Sequence, residues 1–324
     1  MPSTLLANTR VTPRFSGVST FCRYPLLDLV PAESRPIDWA LYGVPFDGGV
    51  TYRPGARFGP RAIRDASQYV KRYHLEHAVD VCEKLSLCDA GDAPVKPYDS
   101  KDTLDAVSDW ARTLGDADTK LFAIGGDHSI AYANIRATWE RRGRPAAGLA
   151  LLHFDSHLDT VDAVWGERWG HASVFRRAIE DGYIDPRRML SVGLKGPLNT
   201  AADLDFCKQH GITIITAQQW HDSVRDGARL VEGFVAQLGG AETYLTFDID
   251  VVDPAYAPGT GTPSVGGLTS AEVFRLLRSL KGANLVGADV VEVLPDRDVS
   301  DITALLASHV IFEVLALDAS RRSR

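Results

Sequence analysis

Cysteine is scarce in this chain and never clustered: Cys22, Cys82, Cys88 and Cys207 are the only four in 324 residues. None belongs to a C-x-x-C pair, which excludes a disulfide framework and a zinc-finger pattern. A reducing, cytoplasmic setting is therefore expected. Basic blocks are missing too. Lysine and arginine total 35 against 42 acidic residues, a net charge of −7, whereas a general nucleic-acid binder carries a basic patch or stripe. The first ten residues, Met-Pro-Ser-Thr-Leu-Leu-Ala-Asn-Thr-Arg, lack an apolar core of signal-peptide length. No run reads as approaching the length of a membrane span. Internal repeats, linkers and low-complexity segments are also absent. What remains is a chain with 45% hydrophobic and 24% charged residues, ordinary for a soluble globular protein and long enough for one large α/β domain or two smaller ones.

Residues 1–36 show no periodicity and several prolines, and read as an irregular arm over the surface, at a subunit contact. From residue 37 to 324 apolar strands alternate with amphipathic helices, which predicts one domain. Strands are expected at 38–46, 120–124, 149–152, 189–194, 212–215, 243–247 and 284–291. Helices are expected from Gly59-Pro60 onward, at 104–114, after Ala172 to about 182, at 202–210, 222–238 and 302–317, and after the capping box of Thr269 and Glu272 up to Gly282. This alternation points to an α/β/α sandwich of three layers with a mainly parallel central sheet. Right-handed crossovers then put the C-terminal ends of the strands on one edge.

Those ends carry the chemistry. The apolar run Leu149–Leu152 leads into Asp155, His157 and Asp159, two residues apart, so that two carboxylates and an imidazole converge past the strand. Alone, D-x-H-x-D is equally compatible with a polar loop. His128 follows the strand 120–124 after the glycine pair Gly125-Gly126. Asp248 and Asp250 follow 243–247, and Glu292 follows 284–291. On a shared edge these carboxylates would repel one another, so cations are needed to hold them. Oxygen and nitrogen donors without thiolates suit manganese, and nickel suits the same donors. The glycine-rich loop Asp47–Gly55 permits close backbone approach to a ligand, and equally serves as a plain connection.

Three ordered segments resemble the signatures of the ureohydrolases, the family of arginases, agmatinases and related guanidino-compound hydrolases: Gly125-Gly126-Asp127-His128-Ser129, Asp155-Ser156-His157-Leu158-Asp159 and Asp248-Ile249-Asp250-Val251-Val252-Asp253-Pro254. Val291-Glu292-Val293, the segment Ala257–Pro263 and the segment Arg53–Arg61 look like the agmatinase-type branch. The resemblance runs from about residue 40 to 318 and implies an arginase-like fold. It implies two Mn2+ per subunit, one held by His128, Asp155, Asp159 and Asp248, the other by Asp155, His157, Asp248 and Asp250. Asp155 and Asp248 would bridge, and Asp159 would orient a hydroxide that attacks the guanidinium carbon. Glu292 would pair with the guanidinium in a charge-assisted fork. His171 would deliver the proton that the leaving amine requires. A homo-oligomer, trimer or hexamer, is the family expectation.

Two departures lie near the expected pocket mouth: His171-Ala172-Ser173-Val174, where the family commonly has His-Gly, and Pro295-Asp296-Arg297-Asp298 after Glu292. The substrate tail is the open point. Agmatine, which yields urea and putrescine and would place the enzyme in polyamine biosynthesis, carries a second cation that Trp165, Trp169, Glu167 or Asp162 would receive. A guanidino acid (the substrate of a guanidinobutyrase, guanidinopropionase or proclavaminate-type amidinohydrolase) would favour Arg168, Arg53 or Arg297. Agmatine is the expected substrate, with Trp165 at the mouth. Two rival readings are a catalytically silent metal-binding protein of this fold and a single-zinc amidohydrolase.

Overall fold

Eight strands pair into one sheet in which every neighbour is parallel. The computed structural model describes residues 3, 4, 6 and 10–322. The sheet strands are β1 (Trp39–Gly43), β4 (Leu87–Asp92), β5 (Lys120–Ile124), β6 (Leu149–Phe154), β7 (Ile184–Leu194), β8 (Thr213–Thr216), β9 (Glu242–Asp248) and β10 (Asn284–Val291). A small antiparallel pair, β2 (Tyr73–His74) and β3 (Val79–Asp80), stands apart. The order across the sheet is β4-β1-β5-β10-β9-β6-β7-β8.

Successive side chains of a strand face opposite sides, and here both sides are dry. Trp39 and Leu41 of β1, Phe122 and Ile124 of β5, and Leu245 and Phe247 of β9 enter one core. Ala40, Tyr42, Leu121, Ala123 and Tyr244 enter the other. This is why the central strands read as near-continuous apolar runs. On the first face lie α1 (Gly59–Ser67), α2 (Val81–Lys84), α7 (Ala217–Asp222), α8 (Val224–Gln237), α9 (Ser270–Arg278) and α10 (Ile302–Arg321). On the second lie α3 (Ser100–Ala111), α4 (Ile130–Arg141), α5 (Val174–Glu180) and α6 (Asp205–His210). The three-layer sandwich expected from the alternation is the fold observed.

Some elements differ from expectation. The helix expected at 222–238 begins at Val224, because Ser223 adopts an extended conformation and caps α8 by accepting the N–H of Asp226, and a separate short helix, α7, precedes it. The helix after Thr269 ends at Arg278 rather than Gly282, and the strand expected at 38–46 covers only 39–43. The last helix runs to Arg321. By length and composition it is apolar enough to cross a membrane, contrary to the reading that no run approaches that length. It is a core helix instead, mostly buried, with its Asp318 held by Trp39 Nε1 at 2.9 Å and Lys120 Nζ at 2.8 Å. Among residues of the expected irregular arm, Phe21 and Tyr24 are buried in the first core and three single-turn 3-10 helices lie between Phe21 and Ser34.

The strands that carry ligands are far apart in sequence but adjacent in the sheet, in the order β5-β10-β9-β6. Their register is level: Val290 pairs with Ile124 and with Phe247, and Phe247 pairs with Phe154. The residues just beyond that row therefore meet at one place.

Candidate metal centre

Imidazole Nδ1 of His128 is the middle of that meeting place. It is buried, has no hydrogen-bond partner, and lies 3.0 Å from Asp155 Oδ2, 2.9 Å from Asp159 Oδ2 and 3.3 Å from Asp248 Oδ2. An orphaned nitrogen ringed by carboxylate oxygens is a donor set waiting for a cation. A second set adjoins it. His157 Nδ1 is 3.4 Å from Asp155 Oδ1 and 3.1 Å from Asp250 Oδ2. Asp155 thus turns one oxygen to each set, the disposition of a bridging ligand. All six expected ligands are brought together, with His157 on the open side and the rest buried.

The backbone explains the convergence. Gly126 takes a left-handed conformation (φ +84°), and a Cβ there would meet the carbonyl oxygen of Val44 at 2.5 Å. Only glycine fits this turn between β5 and His128. Asp159 (φ +51°) and Glu292 (φ +64°) also sit in the left-handed region, a conformation of order 1–3 kcal/mol unfavourable for such residues and typical of functional sites. Phe175 of α5 packs edge-on against His128 (5.1 Å between centroids) and 4.4 Å from the His153 ring, fixing both rings.

Electrostatics point the same way. Two like charges about 4 Å apart cost roughly 4 kcal/mol at an effective dielectric near 20. A few such pairs among four aspartates would rival a whole domain stability of about 5–15 kcal/mol. In the ion-free chain the strain falls on proton positions. Burial, then Asp250 and Asp155, push the Asp248 carboxyl well above the ordinary range. Burial opposes charge on His128, but its contacts with Asp155, Asp159 and Asp248 prevail and raise it. Divalent cations remove both distortions, and the residues present fit them.

Beside the cluster, Glu292 Oε1 accepts the His128 backbone N–H (2.9 Å) and meets His171 Nδ1 at 2.8 Å. Glu292 Oε2 is buried and has no hydrogen-bond partner among the described residues. A fork to guanidinium through both oxygens is thus half spent, and Oε2 is the free acceptor. On the other side of the His171 ring, Nε2 accepts the Thr51 N–H at 2.9 Å and lies 2.7 Å from Thr51 Oγ1. In the neutral ring the hydrogen therefore lies on Nδ1. Burial works against its charge, but Glu292, Asp159 and Asp127 raise it to about 9.

The glycine-rich loop serves this arrangement. Gly49 N–H donates to Asp127 Oδ2 (2.7 Å), its carbonyl accepts the His171 N–H (3.0 Å), and Asp47 ties the loop shut through Gly55 N–H (2.7 Å). The close approach that glycine allows is to Asp127 and Gly170, at 3.1 Å each from a Gly49 Cβ. Burial and the nearby Glu292 push Asp127 up to about 6.

A cavity of about 410 Å3 opens over the cluster. Its lining includes Thr51, His157, Asp159, Trp165, His171, Asn199, Asp203 and Asp248. Trp165 stands at the tip of a two-residue hairpin, with Val164 and Glu167 exchanging both backbone hydrogen bonds (3.0 and 2.9 Å). Positive φ at Trp165 (+52°) and Gly166 (+85°) makes this a type I′ turn. Among the groups considered for the tail, Trp169, Glu167, Asp162, Arg168, Arg53 and Arg297 do not line the cavity. Arg168 faces Asp162 and Glu180, Arg297 faces Asp296, and Arg53 lies over the Tyr52 ring. Sequence reasoning passed over Asp203, Thr51, Asp127 and His153. His153 Nε2 lies 2.9 Å from Asp155 Oδ2 and its Nδ1 lies 3.0 Å from Ser191 Oγ. Its signal was available: a polar residue inside the apolar run of β6.

An α/β/α sandwich whose central strand ends converge on a cluster of this kind is the frame of a metal-dependent hydrolase. The chain belongs to the arginase family, whose model matches residues 37–317. It is 40% identical to a guanidinopropionase of Pseudomonas aeruginosa, over 96% of this chain and 95% of that protein. It is 39% identical to an agmatinase of Neisseria meningitidis, over 93% of each. The solved structure of proclavaminate amidinohydrolase from Streptomyces clavuligerus superposes with a TM-score of 0.87 at 38% identity, covering 95% of this chain and 99% of that one. The family is binuclear-metal dependent and acts on guanidino compounds, and this chain is a hydrolase of that kind.

Proposed function

We propose that the chain cleaves agmatine to urea and putrescine with two manganese ions. The observation that carries the guanidinium half is the free, buried Glu292 Oε2 beside the cluster. The tail half rests on the cavity lining: apart from the cluster and its histidines, its charged group is Asp203, with the Trp165 ring nearby and no lysine or arginine. A carboxylate and an indole face receive an ammonium tail. When bound, the ions supply a nucleophilic water at neutral pH. Asp159, a ligand candidate beside His128, would accept a hydrogen bond from that water and orient it. Glu292, which is buried beside the cluster and outside the cavity lining, would receive the guanidinium through Oε2. His171 moves the proton: its acidic neighbours favour the charged ring, and Thr51 Oγ1 is placed to accept from Nε2 when Nε2 carries a hydrogen.

A guanidino acid is the second reading, favoured by the guanidinopropionase and proclavaminate amidinohydrolase relatives and by the Asn199 amide at the rim. Urea release by manganese-loaded protein decides between them, using agmatine, 4-guanidinobutanoate, 3-guanidinopropanoate and arginine. The expected result is the highest kcat/KM on agmatine, lowered by Asp203→Asn. A tenfold preference for a guanidino acid overturns the tail assignment and leaves the reaction. No urea from any of the four overturns the function. A homo-oligomer in the cytoplasm completes the proposal; the four free, buried cysteines suit a reducing compartment.

A further inference from the structure

Asp289 sits in the middle of β10, fully buried, in a strand otherwise built of apolar residues and glycine after Asn284. Among the described residues no ion pair engages it. Its partners are two hydroxyls. Thr246 Oγ1 donates to Asp289 Oδ1 at 2.6 Å, and Tyr244 Oη donates to Asp289 Oδ2 at 2.6 Å. Thr246 Oγ1 also lies 2.8 Å from His128 Nε2. Beyond Tyr244 the chain continues: the Asn134 amide donates to Tyr244 Oη, and Tyr42 Oη donates to Asn134 Oδ1 at 2.5 Å. Every member is buried.

The direction of this chain has one chemical consequence. A hydroxyl carries a single hydrogen. Thr246 gives its hydrogen to Asp289, so toward His128 it can only accept. In the neutral ring, the form that binds a metal, Nε2 of His128 must then carry the hydrogen and the lone pair falls on Nδ1. Nδ1 is the atom that faces Asp155, Asp159 and Asp248. We propose that Asp289 is a positioning residue of the metal centre: through Thr246 it holds His128 in the tautomer and ring orientation that present Nδ1 to the metal. Metal-bound histidines commonly donate their other N–H to a carboxylate or carbonyl, and losing such a partner typically costs about 10–100-fold in metal affinity. Here the carboxylate acts through one hydroxyl. The strand register makes this possible, since Asp289 pairs with Thr246 across β10 and β9.

The test is Mn2+ affinity, by competition with a fluorescent chelator, on wild type, Asp289→Asn, Thr246→Val and Thr246→Ser. Thermal melts of the ion-stripped proteins accompany it. Asparagine keeps the shape of Asp289 but must turn a donor toward one of the two hydroxyls, which reverses part of the chain. Valine removes the acceptor for Nε2. The expected result is a 10–100-fold loss of affinity in both variants, recovery in Thr246→Ser, and no loss of ion-free melting temperature in Asp289→Asn. The inference rests on the cluster being a metal centre. A wild type that binds no divalent ion overturns both. A wild type that binds two ions, with Thr246→Val and Asp289→Asn binding them as tightly, overturns this inference alone. So does a Thr246→Ser protein as weak as Thr246→Val, or a loss of affinity matched by an equal loss of ion-free stability in both variants.

Discussion

Among the described residues, histidine and carboxylate gather in two buried clusters, and one of them calls for a metal. At the sheet edge lie His128, His157 and four aspartates. On the first helical face lie His74, His77 and Glu313, whose ligand-type atoms also fall within 4.8 Å of one another. Their hydrogen-bond balance is opposite. Glu313 is saturated: His74 Nε2 meets one oxygen at 2.8 Å, His77 Nε2 meets the other at 2.7 Å, and Arg278 reaches both at 3.1 and 3.3 Å. His74 Nδ1 accepts the His77 N–H at 3.2 Å, so its Nε2 carries a hydrogen and points it at Glu313. His128 is the reverse, with Nε2 occupied and Nδ1 orphaned among oxygens. The same residue types make a structural clasp where donors match acceptors, and a metal site where acceptors outnumber donors.

The largest effects follow from removing what each cluster needs. Chelating the ions, or His128→Ala, is expected to lower urea release by at least ~10^3-fold, because the nucleophile depends on the metal. Returning Mn2+ to the chelated wild type at a thousandfold over Kd should add about 4 kcal/mol to the stability. His74→Ala with His77→Ala should leave the bound-ion count unchanged in an elemental assay. A count that falls with the His74 pair would erase the distinction between the clusters. Glu313→Gln strips the clasp of its charge and leaves Arg278 half-paired. Arg278 is partly exposed, so solvent screens it, and a loss of about 1.5–3 kcal/mol is expected in a denaturant melt, with urea release per folded molecule unchanged.

pH separates the two regions by sign. Burial alone would raise the Glu313 carboxyl, but His74, His77 and Arg278 hold it well below the usual range. Its folded pKa is depressed, so its contribution is present above the ordinary glutamate range and is lost as pH falls through the folded value. His171 is the opposite case. Its folded pKa is raised from 6.5 to about 9, with burial opposing and Glu292 prevailing. Its contribution is full below pH 6.5 and fades as pH rises through 9, by roughly 3 kcal/mol at most; the Thr51 N–H at Nε2 makes the real figure smaller. Melts of ion-stripped protein should therefore show His171→Ala closing its gap to wild type between pH 6.5 and 9, and Glu313→Gln closing its gap only in acid. A flat His171→Ala difference across that range would mean the His171–Glu292 pair carries no charge.

Glu292→Gln acts next in size. Losing a charge-assisted hydrogen bond costs about 1.5–3 kcal/mol, or roughly 10–100-fold in kcat/KM, with the bound-ion count intact. A loss of ions in that variant would assign Glu292 to the metal rather than to the guanidinium.

Legibility in the sequence followed from how local each signal is. β5 and β10 were readable to the residue, since their burial on both faces writes an apolar run. The capping box at Thr269 was readable because its two partners are three residues apart. β4 was not, as its sequence Leu-Cys-Asp-Ala-Gly-Asp is half polar, and α4 was not, because Ile130–Ala137 is buried nearly all round and shows no amphipathic period. The site divided along the same line. The six ligands come in short motifs. Thr51, Asp203 and the Asp289–Thr246 link act across strands or loops, and no spacing along the chain records them. Asp289 alone left a mark, a carboxylate within an apolar strand.

Trp165 gives the smallest effect and the sharpest test of the cavity mouth against its floor. The floor holds strained backbone at Asp159 and Glu292, two residues of the candidate site. At the mouth, a bulky residue takes the first position of a type I′ turn, where asparagine or glycine is usual, and its ring stays largely exposed, at 85%. Neither packing nor turn chemistry accounts for it, and reception of the substrate tail is the role proposed for it. Trp165→Gly should relieve the turn and raise stability by up to about 1 kcal/mol. It should also raise KM for agmatine several-fold with kcat little changed, the pattern of lost uniform binding. A variant more stable and unchanged in KM would assign Trp165 to some other surface task and leave Asp203 as the tail's anchor.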